Sequence, residues 1–372
     1  MAGTVQTSNA ADTVEQYSTE AYVDQFKVTA FGKIASLGAI REAPELTGSR
    51  KGDQLTVTLV NILTGVGIGE GGTMTGNEEA LDKETFNMTT GIMRHAVLNP
   101  NGSGTIESQR TNLDFESVSK ELLIGYHGSR QDSSVFNAAA GSTATTITVD
   151  GAAYTTAAKR LFVQGFNTPT APSTNRILRA AAAATDQALT SADTMTLDLI
   201  DDALVDMQDV YPNMQPLSNG RYAMFMSYGQ RLAMERDSAG QIQYYQIQLA
   251  RTQGGMSSGL TDKDGVPAES MPWGYYKNVD FYCSNRIASG QNSSTAAAIT
   301  TVKRAVIFGK NALVYGSPNG TLKGGNVPLR LYVQMQDYDY YKGREGRMLY
   351  GLKKPVQNSE DLGTFVISTY SA

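Results

Sequence analysis

The chain has 372 residues, 41% hydrophobic and 18% charged, with 31 basic side chains against 36 acidic ones and a formal net charge of −5. This composition fits a folded chain of two or three domains, and it excludes a globally basic surface for tight, sequence-independent nucleic-acid binding. A single cysteine, Cys283, excludes internal disulfides and cysteine-based zinc sites, and two histidines, His95 and His127, leave little for metal or acid–base chemistry.

No apolar run approaches the roughly 18 residues of a membrane span. The N-terminal stretch MAGTVQTSNAADT has neither a charged nor an apolar leader region, so the expectation is a chain made in the cytoplasm with no membrane partner. Residues 1–50 read as an arm. Thr13 and Gln16 can cap a short aromatic-rich helix reaching Phe26, after which Pro44, Gly48 and Gly52 break regularity. Such a segment buries too little to stand alone and must lie on something else.

Residues 53–101 read as a long two-stranded excursion. Residues 54–60 (QLTVTLV) alternate polar and apolar side chains and are β-branched, and a glycine-rich, acidic tip follows. Residues 85–98 are then expected to return as one partner strand. Excursions of this length in a compact domain are uncommon and usually functional.

Residues 111–141 form the longest segment that can be one uninterrupted helix, and they contain no proline. Thr111 and Asp114 have the spacing of a capping box, and Phe115, Val118, Leu122 and Tyr126 form an apolar stripe. Residues 127–134 are almost wholly polar before Val135 and Phe136 restore apolar character, and Gly141 is a natural stop. The pattern predicts a strut that touches its own core at one end.

Further along, residues 142–149 suggest a β segment, and 180–184 and 196–210 suggest helices, the second stopped by Pro212. Residues 221–226 (RYAMFM) predict a buried strand and 228–236 a helix. Residues 237–270, rich in Gly, Ser and Gln, predict a loop. Residues 279–283, 302–308, 329–335, 348–352 and 364–370 predict strands.

Motifs with catalytic overtones fail on context. Gly67, Gly69 and Gly72 fit a dinucleotide-binding spacing but open no helix. Gly255, Ser257 and Gly259 fit a nucleophile elbow, yet both histidines precede them. Asp262 and Asp264 lack the spacing and final glutamate of a calcium loop, and Trp273 reads as a packed turn anchor. No catalytic residue, cofactor or metal site is expected.

Four stretches carry a family resemblance: GDQLTVTLVNILTGVGIGEGGTMTGNEEAL, SYGQRLAMERDSAGQIQ, VPAESMPWGYYKNVDFYCSNRI and RMLYGLKKPVQNSEDLGTFVIST. Their order resembles the major capsid protein of tailed bacteriophages, closest to the N-four-like podovirus coat proteins. The resemblance implies an α+β fold of the Hong Kong 97-like kind. Its parts would be an N-terminal arm (1–50), an extended loop (51–101), a peripheral domain (102–190 and 331–372) with a spine helix at 112–140, and an axial domain (191–330). It also implies self-assembly as hexamers and pentamers into an icosahedral shell in the virion around double-stranded DNA, contacted without sequence preference. Further implied partners are a portal protein at one vertex and, as an optional addition, a decoration protein. Because the chain begins close to the arm, a separate scaffolding protein is expected. The rival class is a secreted or surface-exposed bacterial adhesive protein, against which the missing leader and disulfides count.

Residues 62–84 are expected to serve assembly rather than folding. Glu70, Glu78, Glu79, Asp82 and Glu84 crowd there against one lysine, Lys83, so they are solvated or matched by a basic partner. The basic candidates are Arg41, Arg50 and Lys51 at the arm's end, Arg110 before the helix, and Arg344 and Arg347 near the C-terminal strands.

Overall fold

The computed structural model describes residues 30–43, 54–60, 63, 65–81, 83–98, 115–210, 212–237, 272–318, 322, 327–336 and 341–371. The chain runs through α1 (Ala30–Ser36), β1 (Ile40–Glu42), β2 (Gln54–Val60), β3 (Lys83–Thr89), β4 (Gly91–Leu98) and the long helix α2 (Phe115–Ala139). Next come β5 (Ile147–Val149), β6 (Ala152–Tyr154), the single turn α3 (Ala157–Arg160), β7 (Ile177–Arg179), α4 (Leu197–Asp209), β8 (Tyr222–Met226) and α5 (Tyr228–Arg236). The remainder is β-rich: β9 (Gly274–Tyr276), β10 (Val279–Cys283), β11 (Ser289–Gln291), β12 (Ala298–Phe308), β13 (Leu313–Gly316), β14 (Leu329–Gln336) and β15 (Tyr341–Lys353). It closes with β16 (Val356–Gln357), β17 (Glu360–Asp361) and β18 (Thr364–Tyr370).

Two sheets carry this mixed α+β fold. A seven-stranded sheet has the order β7-β18-β12-β8-β10-β9, with β11 also on β12. A five-stranded sheet has the order β1-β13-β15-β14, with β4 also on β15. Strand β8 explains how the larger sheet is covered. All five of its residues are buried, because Ala223 and Phe225 join the core under α2 while Tyr222, Met224 and Met226 join a second core under α4. A strand covered on both faces reads as a continuous apolar run rather than an alternating one.

Helix α4 forms for local reasons. Thr196 caps its first turn by accepting from the Leu199 amide, and Ile200, Ala203 and Met207 give one buried face. Its far end is closed by Arg176, whose fully buried guanidinium donates to the carbonyls of Asp206, Val210 and Pro212. A cation is well placed on the free carbonyls at a helix C-terminus. Helix α5 has a full capping box between Ser227 and Gln230, legible in the sequence as Ser-x-x-Gln.

Several expectations need correction. The return strand of the excursion is two strands, parted at Thr90: β3 pairs with β2, and β4 leaves to pair with β15. The polar run of α2 is not a solvated strut, since His127, Ser129, Arg130, Gln131, Asp132, Ser133 and Ser134 are all buried. In the first half of α2, Leu123 is buried and Leu122 exposed, because the inward face is set one residue from the predicted stripe. Within residues 180–184, expected to be a helix, Ala180–Ala182 form a 3₁₀ turn with Ala181 and Ala182 at positive φ. Part of the expected arm is integral to the fold: Ala30, Phe31 and Ile34 are fully buried, and β1 adds to β13. Strand β18 lies inside the seven-stranded sheet between β7 and β12. The expected helix at 13–26, the capping residues Thr111 and Asp114, and most of the loop at 237–270 lie outside the described residues.

The foot of the β2–β3 hairpin is clamped where the chain parts. Asn167 donates from its side-chain amide to the carbonyls of Thr89, Gly165 and Leu352 and accepts from the Thr89 amide. Leu55, Phe86 and Met88 pack with Ala43 and Val314 in a small core beside it. At Gly351 a Cβ would run into the Thr89 backbone carbonyl, and at Gly91 into the Phe166 ring. Gly351→Ala is therefore expected to lower subunit stability by about 1–3 kcal/mol, the usual cost of overpacking. The urea midpoint reads this directly, and an unchanged midpoint would show that the foot yields.

Candidate assembly interface

Beyond the clamped foot the hairpin carries a tip, residues 65–81, in which every side chain is exposed. The tip still has internal order. Gly72 closes a turn on the Gly69 carbonyl and Asn77 another on Met74. Glu78 accepts from the Gly76 amide and Glu79 from the Gly65 amide, both at 2.7 Å. Gly67, Gly71 and Gly76 adopt positive φ, a conformation that suits glycine. The tip therefore holds a defined shape without burying anything in its own subunit.

The sequence reading attended to the acids and missed the apolar side chains interleaved with them. Val66, Met74 and Leu81 are more than half exposed, and Leu63 just below the tip is also bare. Their spacing in GVGI, TMTG and ALD was visible, but nothing in the sequence says that they lack a partner within the chain. A cluster of bare apolar residues on a projecting element marks an interaction surface.

The structure separates the predicted acidic residues. Glu70 makes no hydrogen bond or ion pair among the described residues. Glu78 and Glu79 cap tip amides, and Glu84 is spent at the foot, accepting from the Asn358 amide at 2.9 Å. Asp82 lies outside the described residues, as do the basic candidates Arg50, Lys51 and Arg110. Arg41 is exposed on β1, opposite Val314.

Arg344 and Arg347 both stand on β15, within the three-stranded part of the smaller sheet formed by β4, β15 and β14. Arg347 bonds Glu345 at 2.6 Å and lies over the Tyr332 ring at 4.4 Å, and Arg94 bonds the other Glu345 oxygen. The hydrogen bonds from Arg347 and Arg94 hold the Glu345 carboxyl down at about 2, so this cluster stays ionised at any physiological pH. Around it the strands line a groove of about 640 Å³ bordered by Arg94, Leu98, Tyr332, Val333, Arg344 and Arg347. Bare Leu98, Tyr332 and Val333 repeat on the sheet the apolar-plus-charged character of the tip, with opposite sign of charge. Arg94 and Tyr332 were not among the predicted residues, because only the strand register brings them beside Arg347.

Among the described residues no group of three or more His, Cys, Asp or Glu could hold a metal ion, and no helix is long and apolar enough to cross a membrane. Cys283 is buried, and Trp273 is packed against Phe281 with its amide bonded to the Phe281 carbonyl. A clamped foot, an outward tip that buries no side chain and an exposed charged groove are features of structural proteins that build assemblies. The chain belongs to the phage capsid protein family, which it matches over residues 38–372. It is accordingly a capsid protein, a structural component of the virion.

Solved structures show the same fold. The capsid of Ralstonia phage GP4 aligns over 100% of this chain and 99% of that one at 20% identity, with a TM-score of 0.75. The capsid of cyanophage Pam1 aligns over 99% of both chains at 16% identity and a TM-score of 0.66. The head structure of Helicobacter pylori bacteriophage KHP40 aligns over 98% and 97% at 11% identity and 0.64. No curated protein matches the chain. Nothing in the fold or these comparisons supports the adhesive-protein alternative.

Proposed function

We propose that this chain is the major capsid protein of a tailed phage, of the Hong Kong 97-like kind and nearest the N-four-like podovirus coats. It assembles as hexamers and pentamers into an icosahedral shell around double-stranded DNA, with a separate scaffolding protein during assembly and a portal at one vertex. A decoration protein is compatible with this reading. The chain works without catalysis. The observation that carries the proposal is the ordered tip at 65–81, which buries no side chain within its own subunit. In this reading the hairpin is the extended loop, α2 the spine helix, the β4–β15–β14 strands the peripheral domain, and the seven-stranded sheet the axial domain, which then includes β18.

Contacts made by exchanged elements bury large areas without chemistry and close into rings when the rotation closes. The net charge of −5 suits a wall that does not grip the DNA it encloses. Negative-stain microscopy of the chain co-expressed with its scaffolding protein should show shells or capsomers. A stable monomer under all conditions would overturn the reading.

The charges at the tip set register and rate more than strength, since exposed ion pairs contribute only about 0–1 kcal/mol each. Reversing Glu70 and Glu78 to lysine is expected to slow assembly several-fold at low salt. Arg344→Glu with Arg347→Glu in the same chain should restore part of the rate. Light scattering at about 0.05 and 0.5 M salt reads both effects, because screening shortens the reach of surface charges. A rate indifferent to the reversals and to salt would place the acidic tip in water.

A further inference from the structure

The chain's two histidines, 32 positions apart in sequence, meet at one aromatic ring. His95 of β4 stacks on Tyr126 of α2 with ring centroids 4.0 Å apart, and His127 meets the same ring edge-on at 5.4 Å. The guanidinium of Arg130 lies 4.0 Å from the Tyr126 centroid. Gly346 of β15 joins both histidines. It is the register partner of His95, and a Cβ there would stand 2.6 Å from Cε1 of His127. The group thus forms the contact between the spine helix and the strands of the smaller sheet.

We propose that His95 and His127 form a proton-operated latch between α2 and the β4–β15 strands, closed while both rings are neutral and released when they are protonated. His127 is 1% exposed, and its Nδ1 donates to the Leu123 carbonyl, a bond that the neutral ring can make; burial is what favours the neutral form. A proton there would place a new charge in a buried site beside one that already holds Arg130. His95 lies at the sheet surface and gives protons an entry.

Among the described residues, the nearby carboxylates are already engaged by other partners. From β5–β6, Tyr154 accepts from Arg130 Nε, and Asp150 in the turn between those strands is engaged by Arg130 at 2.7 Å and Arg286 at 3.4 Å. On α2, Asp132 accepts from the Phe31 amide of α1 and lies 3.9 Å from Arg286, while Lys120 and Glu121 stand more than a turn and a half away. On β15, Glu345 and Arg347 flank Gly346 but alternate to the opposite face, where Arg94 of β4 joins them. Strand β14 presents Leu331 opposite Gly346.

The electrostatics agree with this geometry. Burial first, then the Arg130 charge, holds the His95 ring below its usual range. Burial above all, with His95 and Arg130 adding, does the same to His127 against the opposing pull of the Leu123 and Gly346 backbone. A depressed pKa in the closed state means that the open state binds more protons. The latch is therefore at full strength above about pH 6.5 and weakens as pH falls below it.

Hydrogen exchange of the full chain at pH 7.5 and 5.5, corrected for intrinsic rates, tests this. Segments 91–98 and 118–131 should lose protection about tenfold at the lower pH, as expected when the open state takes up a proton on a ring of ordinary pKa, about 6.5, over one pH unit, while 222–226 and 302–308 stay protected. The His95→Gln, His127→Gln pair should abolish the dependence. If the pair fails to fold, His95→Gln alone should reduce it, since that ring is at the surface. Histidine NMR titration gives a separate reading, with both pKa values expected below 6.5. Protection equal at both pH values, an unchanged dependence in the variant, or histidines titrating at or above 6.5 would each overturn the latch.

Discussion

Replacing residues 61–82 by a two-residue Asn-Gly turn is expected to give a folded subunit that builds no shells. Val60 and Lys83 are direct register partners, so a two-residue turn joins β2 to β3 without moving either strand. The cut is narrower than residues 62–84, because Lys83 and Glu84 are strand residues and Glu84 is needed by Asn358. The tip it removes buries no side chain, so the melting transition should shift little, as surface changes usually do. What disappears is every contact that the tip could offer a neighbour. Circular dichroism, thermal melting and electron microscopy on one preparation read both halves of the result. Normal shells from the shortened chain would remove the hairpin from the assembly mechanism.

A loss of about 3–5 kcal/mol is expected for Lys354→Met, the largest stability effect of any single change considered. Lys354 and Asp361 face each other at 2.6 Å, each with 1% of its side chain exposed, across the β16–β17 turn. Burial pushes the lysine down and the aspartate up, and each partner's charge works against that. Removing the lysine leaves a buried carboxylate whose remaining described support is the Ser173 amide at 3.4 Å. The variant's aspartate then has a raised folded-state pKa. The sign follows: its defect is smallest at low pH, where the carboxyl is neutral, and grows as pH rises through that pKa. Replacing both residues, Lys354→Met with Asp361→Leu, should recover most of the loss. Urea unfolding of the three chains from pH 5 to 8 checks this. A single variant as stable as the parent would mean that water reaches the pair.

Locally determined features were legible in the sequence. Strand β2 announces itself by alternation, β8 by a continuous apolar run, and α4 by its Thr196 cap and apolar face, each within a dozen residues. The misreadings share another cause. Whether residues 127–134 of α2 are solvated depends on Asp150, Tyr154, Arg286 and Tyr350, which lie far along the chain. The split at Thr90 depends on Asn167 and Gly351, which divide two strands that the residue pattern shows as one. Of the candidate interface, the acidic tip was legible, but its sheet counterpart needed the registry of β4, β14 and β15.

The position of β18 bears on when a newly made subunit becomes competent. It is translated after every other strand of its sheet, yet it lies between β7 and β12 rather than at an edge. Until residues 364–370 leave the ribosome, β7 has no partner and one side of β12 stands open along seven residue pairs. The larger sheet therefore cannot close on a growing chain, and a truncated product lacks a strand from the sheet's interior. Closure of that sheet is thus the last step of folding that synthesis permits.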